Sequence, residues 1–512
     1  MIRVIFACIV FGTSLHGNEV VIPPPIRNLY QRLTTHEELV RYAETIVSRS
    51  EAVTLDTLGT TQQNRMIPVL RFSSHDETEW STNKKLRVFI YCQQHGNEPG
   101  GKEAALLLID WLVHTPGYVL DFMDILVVPQ VNPDGAERGE RRNGNLVDLN
   151  RNHAILTEPE SRFIHDLFLS FMPHVTLDVH EYGAISSSWV RNGIVKDADV
   201  MLGGVTNLNV DRRITDVSRR VIIPMVGTRV EEHGYRFHRY IVGSPFEGGR
   251  MRYSTTDIND GRTSMGLYQT FSFIQEGKRY PDHVEELQRR TESQFLAIRS
   301  FLEIIADNAD SIRHITEDAR GALMDTERTP VVVLQSDYYP DSTETSVDFP
   351  VFDLHEWAHV YRDLPGFEPA IRAKKSVLIP EGYLIPETEH RLISVLRRHG
   401  IVMQTVSQSR DIIVEGYDIT HVTVMDEEEL MVPNVDVERR IRSVHVDSGA
   451  IIISTRQPAR YVIPLLIEPQ STRGLVARGG AGPGHFGAYL MEGLTYPVYR
   501  IPGSDPGYTS VK

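Results

Sequence analysis

The sequence predicts an α/β fold, with a mixed, largely parallel sheet covered by helices on both faces, on three observations. Short apolar runs rich in β-formers recur at 87–91, 125–129 and 175–179. A helical stretch at 102–113, opened by Pro99-Gly100-Gly101, separates the first two runs. A long amphipathic helix is expected at 283–305, with Leu287, Phe295, Ile298, Phe301 and Ile305 among its apolar positions. Strands alternating with helices indicate a sheet with helices on both sides. Such sheets place their sites just beyond strand C-termini.

The remaining elements follow from periodicity and punctuation. Leu39, Val40, Tyr42, Ala43, Ile46 and Val47 have helical spacing within 36–50, and 66–70 reads as a strand. After the long helix a polar stretch, 306–320, leads away, and strands resume at 331–334. Further strands are expected at 376–379, 401–406, 419–425 and 450–454, with a helix at 387–399 ended by Gly400. A boundary near residue 325 divides a first domain, 18–324, from a smaller mixed α/β domain, 325–512. The chain shows no internal repeat and no low-complexity tract.

A chain of 512 residues is long enough for two or more domains. Its composition, 41% hydrophobic and 24% charged, is that of a globular protein. The net charge of -15 excludes the basic footprint of a nucleic-acid binder. Residues 1–17 carry one early basic residue and a short apolar core, and Pro23-Pro24-Pro25 follows, so a secretory signal peptide is expected and a secreted or periplasmic location with it. No later segment approaches the ~20 apolar residues of a membrane span. Of the two cysteines, Cys8 falls in this leader, so after cleavage Cys92 would have no partner for an intramolecular disulfide.

Three constellations carry chemistry. His95-Gly96-Asn97-Glu98 follows a strand and precedes a helix start, and His180 ends the run at 175–179. Two histidines and a carboxylate at strand ends match the three-ligand, open pattern of catalytic zinc, although each histidine taken singly reads more readily as a hydrogen-bonded core or surface residue. The second constellation is Asn132-Pro133-Asp134-Gly135, then Arg138, Arg141, Arg142 and Asn143, closing on Asp148-Leu149-Asn150-Arg151-Asn152. It reads either as a solvated turn or as a recognition loop whose guanidinium forks bind carboxylates. The third, Phe271-Ser272-Phe273-Ile274-Gln275-Glu276-Gly277, is an apolar strand ending in a carboxylate: a surface strand end, or a general base.

In this order the motifs resemble the M14 family of zinc carboxypeptidases, over roughly residues 30–310. The resemblance implies one zinc per chain held by His95, Glu98 and His180, with Glu276 as general base and acid. It further implies that Asn150 and Arg151 clamp a substrate's terminal carboxylate and that Arg141 stabilises the oxyanion. Asp148 would orient His95, and Tyr253 would be the mobile tyrosine. The expected activity is hydrolysis at the C-terminus of peptides with a free carboxylate. The residue Asn97 stands where many animal members have an arginine, and Asp257, Asn259 and Asp260 lie near where the floor of the specificity pocket falls.

Rival readings stand beside this one. His355-Glu356-Trp357-Ala358-His359 is a literal H-E-x-x-H, which on a helix would place two histidines on one face with Glu356 as base. Pro350 and Pro365 leave room for only a short helix there, and Glu387 or Glu389 would have to supply a third ligand. The same first-domain zinc site would also suit a murein-peptide amidase or endopeptidase, or deacylation of small N-acyl amino acids. The non-enzyme alternative is an inactive binding protein.

Overall fold

The computed structural model describes residues 21–73, 85–115, 117–325, 330–427, 430–475 and 490–502; the leader at 1–17, with Cys8, lies outside them. The expected sheet is present. Its eight strands run in the order Val53–Thr60, Met66–Phe72, Met123–Val128, Leu86–Cys92, Val175–Gly183, Phe271–Arg279, Val200–Gly204 and Phe237–Arg239. The four central strands are mutually parallel, and antiparallel neighbours flank them on both sides. These central strands are apolar because they are covered on both faces: Val88 to Cys92 and Ile125 to Val128 are all buried. Helices Pro99–His114 and Leu287–Asp307 pack on each other and against the central strands.

Register decides where chemistry gathers. Glu276 stands opposite His180, and Cys92 stands opposite Val179. The C-terminal ends of three adjacent parallel strands therefore deliver Glu276, His180 and the loop that begins at Gln93 to one edge of the sheet.

Two expectations need correction. The polar stretch at 306–320 is not a lead-away segment but a second helix, Ala309–Leu323. Ile312, Thr316, Ala319 and Leu323 form its buried stripe, a helical spacing thinned by the charged residues between them. The strand expected at 401–406 is reduced to Gln404–Thr405.

Beyond residue 330 the chain stays in contact with what precedes it. The hairpin Ser346–Asp353 and Ala358–Pro365 adds to the strand Ile194–Lys196, and Phe367–Glu368 pairs in parallel with Met251–Arg252. Tyr338, Phe349 and Phe367 share one buried cluster with Trp189 and Tyr253. Val331–Tyr339 and Ala370–Leu378 form an antiparallel pair of their own, and a six-stranded sheet dominated by the long hairpin Arg410–Glu427 and Leu430–Val446 follows, with the short helices His390–Arg398 and Val462–Ile467. Among the described residues no helix is long and apolar enough to cross a membrane.

Candidate active site

The strand Leu86–Cys92 ends in a tight turn rather than running on. Gln93 takes a left-handed backbone conformation, and Gly96 lies against the backbone of Gly135 and Ala136, where any Cβ would collide. Asn132 ties the second loop to the first: its Oδ1 accepts from Gly135 N–H at 2.8 Å, and its Nδ2 donates to the Gln94 carbonyl at 3.0 Å. The Asn-Pro-Asp-Gly segment is thus a buried brace for the turn, not a solvated loop. Asp134, fully buried, pairs with Arg65 at 2.7 Å.

The turn brings His95 and Glu98 against His180. His95 Nδ1 lies 2.9 Å from Glu98 Oε1, His180 Nδ1 lies 2.9 Å from Glu98 Oε2, and the two Nδ1 atoms are 3.1 Å apart. These are the residues that, among the described ones, are grouped to hold a metal ion. Four-coordinate zinc with bonds of ~2.0–2.1 Å has ligands about 3.3 Å apart, so the donor set fits the ion in both type and spacing. Against burial, which would raise it, His95 and His180 hold the Glu98 carboxyl well below the usual range. Glu181 N–H also donates to Glu98 Oε2 at 3.1 Å, which fixes that carboxylate from the sheet side.

Each imidazole is backed by a carboxylate. Asp148 Oδ1 sits 3.0 Å from His95 Nε2, and its other oxygen accepts from Arg141 Nε at 2.8 Å. Behind His180 stands Asp178, with Oδ1 2.9 Å from Nε2. Burial would lower the His180 pKa, but Asp178 and Glu98 lift it well above the ordinary value. The sequence did carry a signal for Asp178: an acid two residues before a histidine in a strand shares its face.

Glu276 is buried across from His180, and its carboxyl is pushed up to about 7 by burial, with the His180 charge working the other way. The tyrosine hydrogen-bonded to it is Tyr240. Tyr253, the tyrosine chosen from sequence, is packed instead beneath the guanidinium of Arg219, 4.7 Å from its ring centroid, and edge-on to Phe367. No sequence signal singles out Tyr240, because its place depends on a short strand, Phe237–Arg239, whose pairing follows only from the fold.

Asn150 and Arg151 reach the same edge. Asn150 Oδ1 accepts from Gly261 N–H at 3.0 Å, its Nδ2 lies 3.3 Å from His180 Nε2, and its carbonyl accepts from Arg151 Nη1 at 2.9 Å. Arg141 remains 42% exposed while touching both Asp148 and Glu98. Of the proposed pocket acids, Asp260 is spent as a helix cap, accepting from Thr263 N–H at 2.8 Å, and Asp257 faces Arg473 at 3.4 Å. Asn259 is buried.

The H-E-x-x-H segment forms no helix. Asp353 Oδ1 accepts from the backbone N–H groups of His355 and Glu356, closing a turn between the two hairpin strands. His359 pairs with Asp197 at 2.6 Å and Glu356 with Arg362 at 2.8 Å, so the three side chains do not converge. The double variant His355→Ala, His359→Ala should therefore retain parent zinc content and activity. Its unfolding free energy should fall by no more than about 1 kcal/mol, the range of a half-exposed ion pair. Metal analysis and denaturant titration check this; loss of zinc from the folded variant would revive the helical zinc motif.

The zinc carboxypeptidase family model matches residues 39–167, which include His95, Glu98 and the loop to Arg151. The chain is 27% identical over 455 residues to carboxypeptidase 2 of Trichophyton tonsurans, covering 86% of this chain and 81% of that protein. It is 26% identical over 456 residues to carboxypeptidase 2 of Trichophyton rubrum, with the same coverage. Among solved structures, carboxypeptidase A from Helicoverpa armigera aligns with a TM-score of 0.43 at 19% identity, covering 55% of this chain and 75% of that one.

Proposed function

As the chain belongs to the M14 family of zinc carboxypeptidases and is a metallopeptidase, we propose that it removes residues from the C-terminus of peptides using one zinc held by His95, Glu98 and His180. The observation that carries this reading is the convergence of those three side chains, each within about bonding reach of one tetrahedral ion, beside the buried carboxylate of Glu276.

Zinc at this position would acidify a water towards a pKa of ~7 and polarise the scissile carbonyl. The residues of the chain do the rest. Glu276 takes the proton released on attack and returns it to the departing amine. Its burial suits both halves of that task, because a carboxyl raised towards neutrality is a stronger base than an exposed one and still holds the proton until it is handed on. Arg141 presents its guanidinium to the developing oxyanion, steadied by Asp148. Asn150 and Arg151 pair with the terminal carboxylate, which sets the bond to be cut one residue from the chain end. Tyr240, rather than Tyr253, is the phenol placed to close on the substrate beside Glu276. Residues 325–512 act as an accessory region that buttresses this catalytic part.

Arg151→Ala tests the exopeptidase assignment. Leaving a buried charge unpaired costs about 3–5 kcal/mol. The variant should therefore lose roughly 10²–10⁴-fold in kcat/KM on free-carboxylate peptides. Its effect on any residual cleavage of amidated peptides should be small. An equal loss on both substrates would show that Arg151 serves the fold and not the carboxylate, and would favour the murein-amidase reading.

A further inference from the structure

Behind His180 a line of buried polar side chains runs away from the catalytic edge, and none of them has a part in the steps above. Gln94 Nε2 donates to Asp178 Oδ2 at 2.7 Å. Gln94 Oε1 lies 2.7 Å from His153 Nε2, and His153 Nδ1 lies 3.0 Å from His165 Nε2. Gln94, His153, His165 and Asp178 are all at or below 1% exposure. His399, contributed from beyond residue 330, meets His165 edge-on at 5.4 Å and is anchored by its own Nε2 to the Ala154 carbonyl at 2.8 Å.

The direction of this chain is fixed by chemistry. A carboxylate can only accept, so the amide of Gln94 must face Asp178 and its carbonyl must face His153. The His153 ring then carries its proton on Nε2 and accepts at Nδ1, which sets the proton of His165 on Nε2. The far nitrogen, His165 Nδ1, has no partner among the described residues, as expected for the end of a one-way chain. Burial keeps the rings neutral, bringing His153 down to about 4 and His165 well below its ordinary value. The packing is close throughout: a Cβ on Gly261 would stand 3.1 Å from His153 Nε2 and 2.6 Å from the Tyr91 hydroxyl. No larger residue fits there without moving the ring.

We propose that Gln94, His153 and His165 form a positioning relay that fixes the Asp178 carboxylate and, through it, the ring orientation of His180, with His399 sealing the outer end. The proposal rests on the reading of His180 as a zinc ligand. It assigns the C-terminal region a share in the metal site: the helix His390–Arg398 delivers His399 to the relay. Partners behind ligating histidines typically contribute 10–100-fold to metal affinity.

The test is zinc affinity, measured by competition against a chromogenic chelator on folded apoprotein, with circular dichroism and apo-state melting recorded alongside. Gln94→Leu, which removes both hydrogen bonds at nearly constant volume, should weaken zinc about 10–100-fold. His153→Phe should weaken it by a smaller factor. His153→Gln, which keeps an N–H at the reach of Nε2, should recover most of the loss, whereas His153→Asn, too short to reach Gln94, should not. This last pair keeps the test informative if a larger change disturbs folding, because a purely structural role does not separate Gln from Asn in zinc affinity. Zinc affinity within about twofold of the parent in Gln94→Leu and His153→Phe, or equal affinity in the Gln and Asn variants, would overturn the relay. If His180→Ala loses zinc while these variants bind as the parent does, only the relay fails. If His180→Ala binds like the parent, the metal-site reading fails first.

Discussion

Glu276→Gln is expected to keep its zinc and lose about 10²–10⁴-fold in kcat. The amide matches the carboxylate in shape, so the buried position opposite His180 is still filled. It cannot accept the proton released on attack, and the later transfer to the leaving amine is lost with it. The Tyr240 hydroxyl can donate to the amide oxygen as it does to the carboxylate, so the local packing should persist. KM should change little, because the proposed function assigns terminal-carboxylate binding to Asn150 and Arg151. Zinc content and steady-state kinetics on the same preparation check this. A variant with near-normal kcat would place the base elsewhere.

Removing a ligand should have the other large effect. His95→Ala or His180→Ala leaves two donors where three converge, and neither protein should retain zinc after dialysis against a chelator. Both should lose activity with the metal. In His180→Ala the loss is compounded, since Asp178 is then a buried carboxylate without the imidazole it faces. The apoprotein of that variant should also melt earlier than the parent apoprotein. Full zinc content in both variants would dissolve the site.

Much of this site was legible because its groups come just after apolar runs, although the strands that carry His180 and Glu276 continue to Gly183 and Arg279. His95, Glu98, His180 and Glu276 each follow an apolar run, and a polar group at the end of a buried strand is conspicuous. The residues behind them were hidden, because their partners are set by register and not by sequence distance. Asp178 and Gln94 lie 84 positions apart yet share a hydrogen bond, since their strands are adjacent in the sheet. His399 is 234 positions from His165 and meets it only once the C-terminal helix has docked. The resemblance implies a mobile tyrosine somewhere before Glu276, which names no single residue, and the tyrosine hydrogen-bonded to that carboxylate is Tyr240 and not Tyr253. The H-E-x-x-H segment shows the opposite case, a pattern without its context. Val347, Phe349 and Val351 alternate inward as a strand demands, and the Asp353 turn then ends any helical option. The long hairpin at 410–446 escaped full recognition because charges occupy much of both strands, leaving little alternation to read.

The most direct test of the central claim is mass-spectrometric product analysis of the zinc-loaded protein acting on one peptide in two forms, with a free and with an amidated C-terminus. The account predicts stepwise loss of single C-terminal residues from the free form, with the amidated form left intact over the same period. Internal fragments, or equal cleavage of both forms, would contradict it.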